Sequence, residues 1–253
     1  MTDAIRIRDD GGLRRLTLNR PDKMNALNTA MMRALAAAIV SAPGDGIELL
    51  VIDGEGERGF CAGGDIAEMR QGRAVFAQQE EALRALITAL HTAAVPVVGV
   101  VHGRTLGAGC IVASLTDIVL AAEDLSFGFP EMRFGLYPAF VHGAIVERVS
   151  NALAFQLCVG GRILTAAEAL SLGFATEVLP TDGFAERAAG RIAHYRERID
   201  AVSMGRRIRR MALPAPMAER MAALAPLLVE NHEAPSARRL LAEMPFARPA
   251  GGA

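Results

Sequence analysis

Long apolar runs are missing from this chain of 253 residues, although 51% of them are hydrophobic. No stretch approaches the roughly eighteen residues that a membrane helix needs, and the opening Met-Thr-Asp-Ala-Ile-Arg-Ile-Arg-Asp-Asp10 contains no apolar core of a leader peptide. The expectation is a soluble cytoplasmic protein with no membrane partner. Excess charge is also lacking: a formal net charge of -1 argues against a nucleic-acid binder held by a strong global field, and favours a small-molecule partner. Cysteine is scarce. Cys61, Cys110 and Cys158 are odd in number, far apart and free of any C-x-x-C pairing, which indicates neither a disulfide framework nor a zinc site. They read as small core residues, because a reactive thiol needs a base and an electropositive surround that the neighbouring sequence does not display. Lysine is scarcer still, and Lys23 is the only one.

What the chain does contain is enough apolar sequence to bury a sizeable core. Ile5-Arg-Ile-Arg and Leu16-Thr-Leu-Asn19 alternate in polarity around Asp9-Asp-Gly-Gly12, which predicts a β-hairpin with one solvent-facing side. Thr29 to Val40 has helical composition and stops at Pro43-Gly-Asp-Gly46. Glu48-Leu-Leu-Val-Ile52 and Val95-Pro-Val-Val-Gly-Val-Val101 read as buried strands, with a helix over Glu80 to His91 between them. Strand, helix, strand suggests stacked βαβ-like units in an α/β protein. Ile118 to Ala121 predicts a further strand. Thr165-Ala-Ala-Glu168 predicts a capping box on a helix closed by Gly173. Past a turn at Pro180-Thr-Asp-Gly183, helices fill the chain, broken into short pieces by Pro214, Pro216, Pro226 and Pro235. Within them, Arg206-Arg-Ile-Arg-Arg210 reads first as a solvated helix face, with a phosphate contact or subunit packing as the alternative.

Two glycine-rich turns carry the chemistry. Gly59-Phe-Cys-Ala-Gly-Gly-Asp65 and His102-Gly-Arg-Thr-Leu-Gly-Ala-Gly109 each follow a run of apolar, β-branched residues. Glycine lets a turn take positive φ and lets a ligand approach the main chain, so such turns can present backbone N–H groups to an anion. Two convergent donors form an oxyanion hole, and removing one typically costs roughly 3 to 4 kcal/mol of transition-state stabilisation. A helix starting near Ala108 would add the positive end of its dipole. One acid, Glu131, lies within Ser126-Phe-Gly-Phe-Pro-Glu-Met-Arg-Phe-Gly-Leu136, where burial would raise its pKa towards neutrality and suit it to proton exchange. Arg133 could instead pair with it and oppose that shift. His142 could serve as a second proton carrier if its loop folds back, although a structural role is the commoner one.

The two turns, together with Asn19-Arg-Pro-Asp-Lys-Met-Asn-Ala-Leu27, Phe129-Pro-Glu-Met-Arg-Phe-Gly-Leu-Tyr-Pro138 and Gly160-Gly-Arg-Ile-Leu-Thr-Ala-Ala-Glu-Ala-Leu-Ser-Leu-Gly173, resemble the crotonase superfamily, the enoyl-CoA hydratase/isomerase family. The resemblance covers most of the chain. It implies a crotonase-type spiral of ββα units over residues 1–190, carrying the acyl-CoA site, and a helical oligomerisation segment over 191–253. It also implies a homotrimer or a pair of trimers. Gly64 and Ala108 match the two oxyanion donors, and Glu131 matches the family's acid/base glutamate. Lys23, Met24, Ala26, Ala62, Asp65 and Ile66 would border the coenzyme A arm, with Asp65 also capping a helix. Ile111, Pro130, Tyr137, Pro138 and Phe140 would face the acyl group, with Met69 and Phe76 beside them. No metal, flavin or nicotinamide site is indicated, and coenzyme A enters only as part of the substrate thioester.

The informative departure is Ile111, where two-carboxylate hydratases of the family carry their other glutamate. Isoleucine cannot hold or deprotonate water. Moving a double bond needs a single base, which takes a proton from C2 of a 3-enoyl thioester and returns it at C4. The pattern around Ile111 and Pro138-Ala-Phe-Val141 is similar to the Δ3,Δ2-enoyl-CoA isomerases, so the resemblance favours an isomerase. Hydration by Glu131 alone and a non-catalytic acyl-CoA-binding protein are the alternatives.

Overall fold

The computed structural model describes residues 4–211 and 216–233, with Arg238 and Ala242. In chain order the elements are β1 (Ile5–Asp10), β2 (Leu13–Leu18), α1 (Thr29–Ser41), β3 (Leu49–Gly54), α2 (Ile66–Met69) and α3 (Arg73–Thr92). There follow β4 (Val97–Val101), β5 (Arg104–Leu106), α4 (Ala108–Leu115), β6 (Ile118–Ala122), β7 (Ser126–Gly128), α5 (Ala139–Ile145) and α6 (Asn151–Gly160). The chain continues through β8 (Ile163–Thr165), α7 (Ala166–Ser171), β9 (Glu177–Leu179), α8 (Phe184–Arg196), α9 (Ile199–Met211) and α10 (Met217–Glu233). Short 3-10 turns over Pro21–Lys23 and Pro130–Phe134 precede the two segments of interest.

Six strands form one sheet in the order β1-β2-β3-β4-β6-β9, parallel except for the β1/β2 hairpin. A second sheet holds β5-β7-β8. Successive passes of the chain deliver one strand to each sheet, first β4 and β5, then β6 and β7. The loop after β3 joins the smaller sheet through bridges Gly59 to Gly103 and Cys61 to Thr105. That is a spiral of strand-strand-helix units.

Continuous apolar strands arise because the large sheet is covered on both faces. Along β3, Leu50 and Ile52 face a core shared with Met31, Met32 and Leu35 of α1 and Leu86 and Leu90 of α3. Leu49 and Val51 face a second core with Ala188 and Ile192 of α8. The predicted elements are all present, with α3 starting seven residues before its expected first residue, Glu80. Residue 190 falls within α8. Among the described residues no helix is long and apolar enough to cross a membrane.

Two expectations for the C-terminal region are corrected. Pro226 does not break the helix: it lies inside α10, which runs unbroken for 17 residues. A proline inside a helix costs about 3 kcal/mol. Met217 and Met221 are fully buried in the core and Leu224 and Leu228 pack against it, so burial along this face offsets that cost. Pro216 immediately precedes the helix, whereas Pro214 and Pro235 lie outside the described residues.

The basic run is likewise not a uniformly solvated face. Arg206 is 7% exposed, and its guanidinium donates to Asp117 Oδ2 at 2.6 Å and to the carbonyls of Leu90 and Ala93 at the C-terminal end of α3. A cation there satisfies orphan carbonyls and complements the helix dipole. Asp117 also accepts from Arg209 at 3.1 Å and from the N–H of Val97 at 2.8 Å, tying α9 to the start of β4. Arg206→Met is expected to destabilise the fold by about 2 kcal/mol, because it takes one of two cations from a largely buried Asp117 side chain and leaves Arg209 as its ion-pair partner among the described residues. Urea unfolding checks this; a change below about 0.5 kcal/mol, the scale of a surface site, would contradict it.

Candidate active site

The two glycine turns abut because the bridge between Cys61 and Thr105 sets their register. Cys61 N–H donates to Arg104 O at 3.2 Å and Leu106 N–H to Cys61 O at 2.9 Å. Gly63 then takes φ +104, and a Cβ on it would stand 3.1 Å from Leu106 O. On the other side, Leu27 N–H donates to Gly63 O at 2.8 Å and Asp65 N–H to Leu27 O at 2.9 Å. Gly64 lies between these anchors, and among the described residues its N–H has no acceptor. The N–H of Ala108, the first residue of α4, is equally unclaimed among them, as the first helical turn requires. α4 is buried along its whole length, so its N-terminal end is rigid.

Both cysteines beside the turns are structural. Burial pushes the Cys61 thiol up to about 12, and Cys110 donates to Thr105 O at 3.0 Å while burial raises it well above its usual range. Neither supplies a thiolate.

Glu131 arrives from the third side, on the 3-10 turn after β7, a segment anchored by Phe127 and Phe129, which cluster with Phe174 at ring-centroid distances of 5.0 to 6.2 Å. Its carboxyl lies over Gly107: a Cβ added there would be 2.6 Å from Glu131 Oε1. Oε2 is buried and has no partner among the described residues. Burial pushes the carboxyl up to about 7. Arg133 is exposed and forms no ion pair with it, so the opposing effect considered from the sequence is absent among the described residues.

A cavity of about 120 Å³ brings these groups together. Of the residues singled out in the sequence, it is lined by Gly64, Ala108, Ile111, Glu131, Tyr137, Pro138 and Phe140, with Met69 and Phe76. Lys23, Met24, Ala26, Ala62, Asp65, Ile66 and Pro130 lie outside it. The first six form an adjoining strip in which Ala62 N–H donates to Met24 O at 2.9 Å. Asp65 caps α2 by accepting from Ala67 and Glu68, and also accepts from Arg20 at 2.9 Å. Lys23 is exposed at the end of the first 3-10 turn. Met24 and Asn25 both have positive φ, and Asn25 holds this uncommon conformation by bonding Arg20, Glu55 and Gly59. His142 is turned away: its ring pairs with Tyr137 Oη and with Asn151 Oδ1, beside a separate cavity between α5 and α10.

Sequence reasoning missed the cavity wall supplied by α3. Gln79, Glu80 and Leu83 line it one to two turns beyond Phe76, with Met32 from α1 and Leu228 and His232 from α10. Polar residues on an amphipathic helix resemble solvent positions, and only the docking of α3 against the turns puts them inside.

Residues 8–225 match the family model described as enoyl-CoA hydratase/isomerase. The chain is 36% identical over 169 residues to 2,3-dehydroadipyl-CoA hydratase of Escherichia coli (strain K12), covering 66% of each protein. It is 33% identical over 183 residues to crotonyl-CoA hydratase of Syntrophomonas wolfei, covering 70% of each. Among solved structures, an enoyl-CoA hydratase/isomerase from Mycobacterium paratuberculosis is similar with a TM-score of 0.86 at 26% identity, over 96% of this chain and 99% of that one. With this fold, these turns and these relatives, the chain belongs to the enoyl-CoA hydratase/isomerase family and has the crotonase fold.

Proposed function

We propose that this acyl-CoA enzyme forms a thioester enolate between the N–H groups of Gly64 and Ala108, with Glu131 as its acid/base, and that it isomerises 3-enoyl to 2-enoyl thioesters. The observation that carries the reading is the buried Glu131 carboxyl, with an unpartnered oxygen, in the same small cavity as both backbone donors and with Ile111 where a second carboxylate would stand. The carbonyl oxygen sits between the two donors, which stabilise it as it gains charge. Glu131 removes a C2 proton and returns it at C4, and one group is enough for both transfers. The strip from Lys23 to Ala26 and from Ala62 to Ile66 borders the coenzyme A arm.

Hydration is the second reading, favoured by the names of the relatives, which are hydratases. Incubation with 3-hexenoyl-CoA and with 2-hexenoyl-CoA, with products resolved by chromatography and mass, separates the two. A shifted double bond without mass gain supports isomerisation, and a gain of one water supports hydration. Silence with both substrates would count against either. Ile111→Glu is expected to raise hydration relative to isomerisation, since it puts a carboxylate on α4 at the position where the two-carboxylate hydratases carry their other glutamate. An unchanged product ratio in a folded variant would contradict the role given to this position.

The same reading carries assembly as a homotrimer or a pair of trimers through the C-terminal segment. Exposed Phe155 and Val159, one turn apart on α6, support a further subunit contact. Light scattering on the purified protein tests it, with a monomer as the contrary result.

A further inference from the structure

Two cavities meet at Tyr137. With Ala139 it lines both the small cavity that holds Glu131 and a larger groove of about 580 Å³ between α5 and α10. α10 serves both as well, with Leu224 and Leu227 on the groove and Leu228 on the inner cavity. Val146 adds to the apolar lining of the groove, and its charged residues are Arg220, which donates to Gly143 O at 2.9 Å, and the exposed Glu230. The Tyr137 side chain is held from the groove side. Asn151 Oδ1, an amide oxygen with no proton to give, accepts from His142 Nε2 at 2.7 Å. A neutral imidazole protonated at Nε2 keeps Nδ1 as an acceptor, and Nδ1 takes the hydrogen bond of the Tyr137 hydroxyl. His142 and Asn151 line the groove and not the inner cavity, so the ring stands in the wall between the two. Pro138 narrows the backbone angles open to Tyr137, and Phe155 of α6 lies beside its ring at a centroid distance of 6.3 Å.

We propose that Tyr137 sets the acyl chain length: latched by His142 and Asn151, its ring closes the inner cavity to all but short acyl groups, and the groove beyond is where the end of a longer chain would lie with the ring removed. The proposal rests on reading the inner cavity as the acyl site. Size supports it, since a cavity of about 150 Å³ holds benzene and one of about 120 Å³ therefore takes about five carbons. Continuity identifies the occupant of the groove as hydrocarbon from the same thioester, because the groove starts at the residue where the inner cavity ends and α10 presents leucines to both. Each methylene buried is worth about fourfold in binding, so a chain that reaches Leu224 and Leu227 gains affinity only when the ring is out of its path. His142 and Asn151 act through Tyr137 and are positioning residues.

Calorimetric binding of butanoyl-CoA and octanoyl-CoA tests this without requiring turnover. The proteins compared are the wild type, Tyr137→Ala, His142→Ala and Tyr137→Ala combined with Leu227→Asp, each checked for fold by circular dichroism. The wild type is expected to bind octanoyl-CoA no more than about twofold tighter than butanoyl-CoA, because the added methylenes stay unburied. Tyr137→Ala should prefer octanoyl-CoA by about tenfold or more, the worth of about two buried methylenes, and the charge that Leu227→Asp places in the groove should remove most of that preference. His142→Ala keeps the ring but not its latch and should show a smaller preference, about threefold, the worth of about one methylene. A ratio equal to that of the wild type would overturn the role given to His142 and Asn151. A wild type that already prefers octanoyl-CoA by about tenfold would overturn the proposal whether or not Tyr137→Ala folds. So would a folded Tyr137→Ala with no preference, or one whose preference survives Leu227→Asp. In each of those cases the acyl-CoA reading stands, whereas a wild type that binds neither thioester would overturn both.

Discussion

Glu131→Gln is expected to lower turnover of an enoyl-CoA by about a hundredfold to ten-thousandfold, the range typical of a lost general acid/base, with acyl-CoA binding nearly unchanged. Glutamine keeps the shape and the hydrogen-bonding capacity of the side chain and loses only the exchangeable proton. With a carboxyl pushed up to about 7, kcat/KM for the 3-enoyl thioester should rise with pH through that region, because only the ionised form removes a C2 proton. The variant should lack this limb. A wild-type rate that is flat from pH 5.5 to 8.5, or a variant of equal rate, would remove Glu131 from the mechanism.

The same substitution is expected to stabilise the fold at alkaline pH. The folded-state pKa lies above the unfolded value of 4.5, so the native protein holds a proton that the unfolded chain releases between 4.5 and about 7. Stability attached to Glu131 is therefore fully present below 4.5 and is lost as pH rises through 7. Glutamine has no such loss. At about 1.4 kcal/mol per pKa unit, the variant should gain up to about 3 kcal/mol over the wild type above pH 8, shrinking to little at pH 4.5. Denaturant titrations at the two pH values measure the difference. A gain independent of pH would assign it to packing instead of ionisation.

Gly107→Ala is the second substitution expected to have a large effect. Gly107 has φ +50 and ψ -116, a backbone conformation that side chains other than hydrogen rarely accept, at a cost of about 1 to 3 kcal/mol. The new Cβ would meet Glu131 Oε1 at 2.6 Å. A carboxyl group moves more easily than the buried end of α4, so Glu131 shifts off the reacting carbon. A misplacement of about 1 Å can cost about a hundredfold in rate. Activity should fall on that scale while binding of coenzyme A itself stays near the wild-type value, since the strip around Ala62 is untouched. In the background of Glu131→Gln, the alanine should cost little further activity, because both changes act on one group. Additive losses in the double variant would mean that Gly107 acts through Ala108 and the oxyanion hole instead.

Much of this site is legible in the chain because its main parts are backbone. A turn that needs positive φ demands glycine, and Gly63 and Gly107 stand where the turns need them. Helix starts are written locally too, in Asp65 before α2 and in the reciprocal Thr165 and Glu168 bonds of the capping box. The continuous apolar runs of β3 and β4 announce a sheet covered on both faces. Each of these features depends on a few neighbouring residues, so the amino-acid sequence by itself determined β1 to β4 and β6, the two glycine turns and the position of Glu131 among phenylalanines, whereas the three-residue strands β5, β7, β8 and β9 are too short to show a pattern of their own. Tertiary structure decided the rest. Arg206 became a buried helix cap only because α9 docks beside the end of α3, and Pro226 stayed helical because α10 buries its methionines. Gln79 and Glu80 turned from surface-like residues into residues that line the cavity for the same reason. Burial and partnership depend on which segments meet across long separations in the chain, and the polarity of a residue alone does not say whether water or protein will face it.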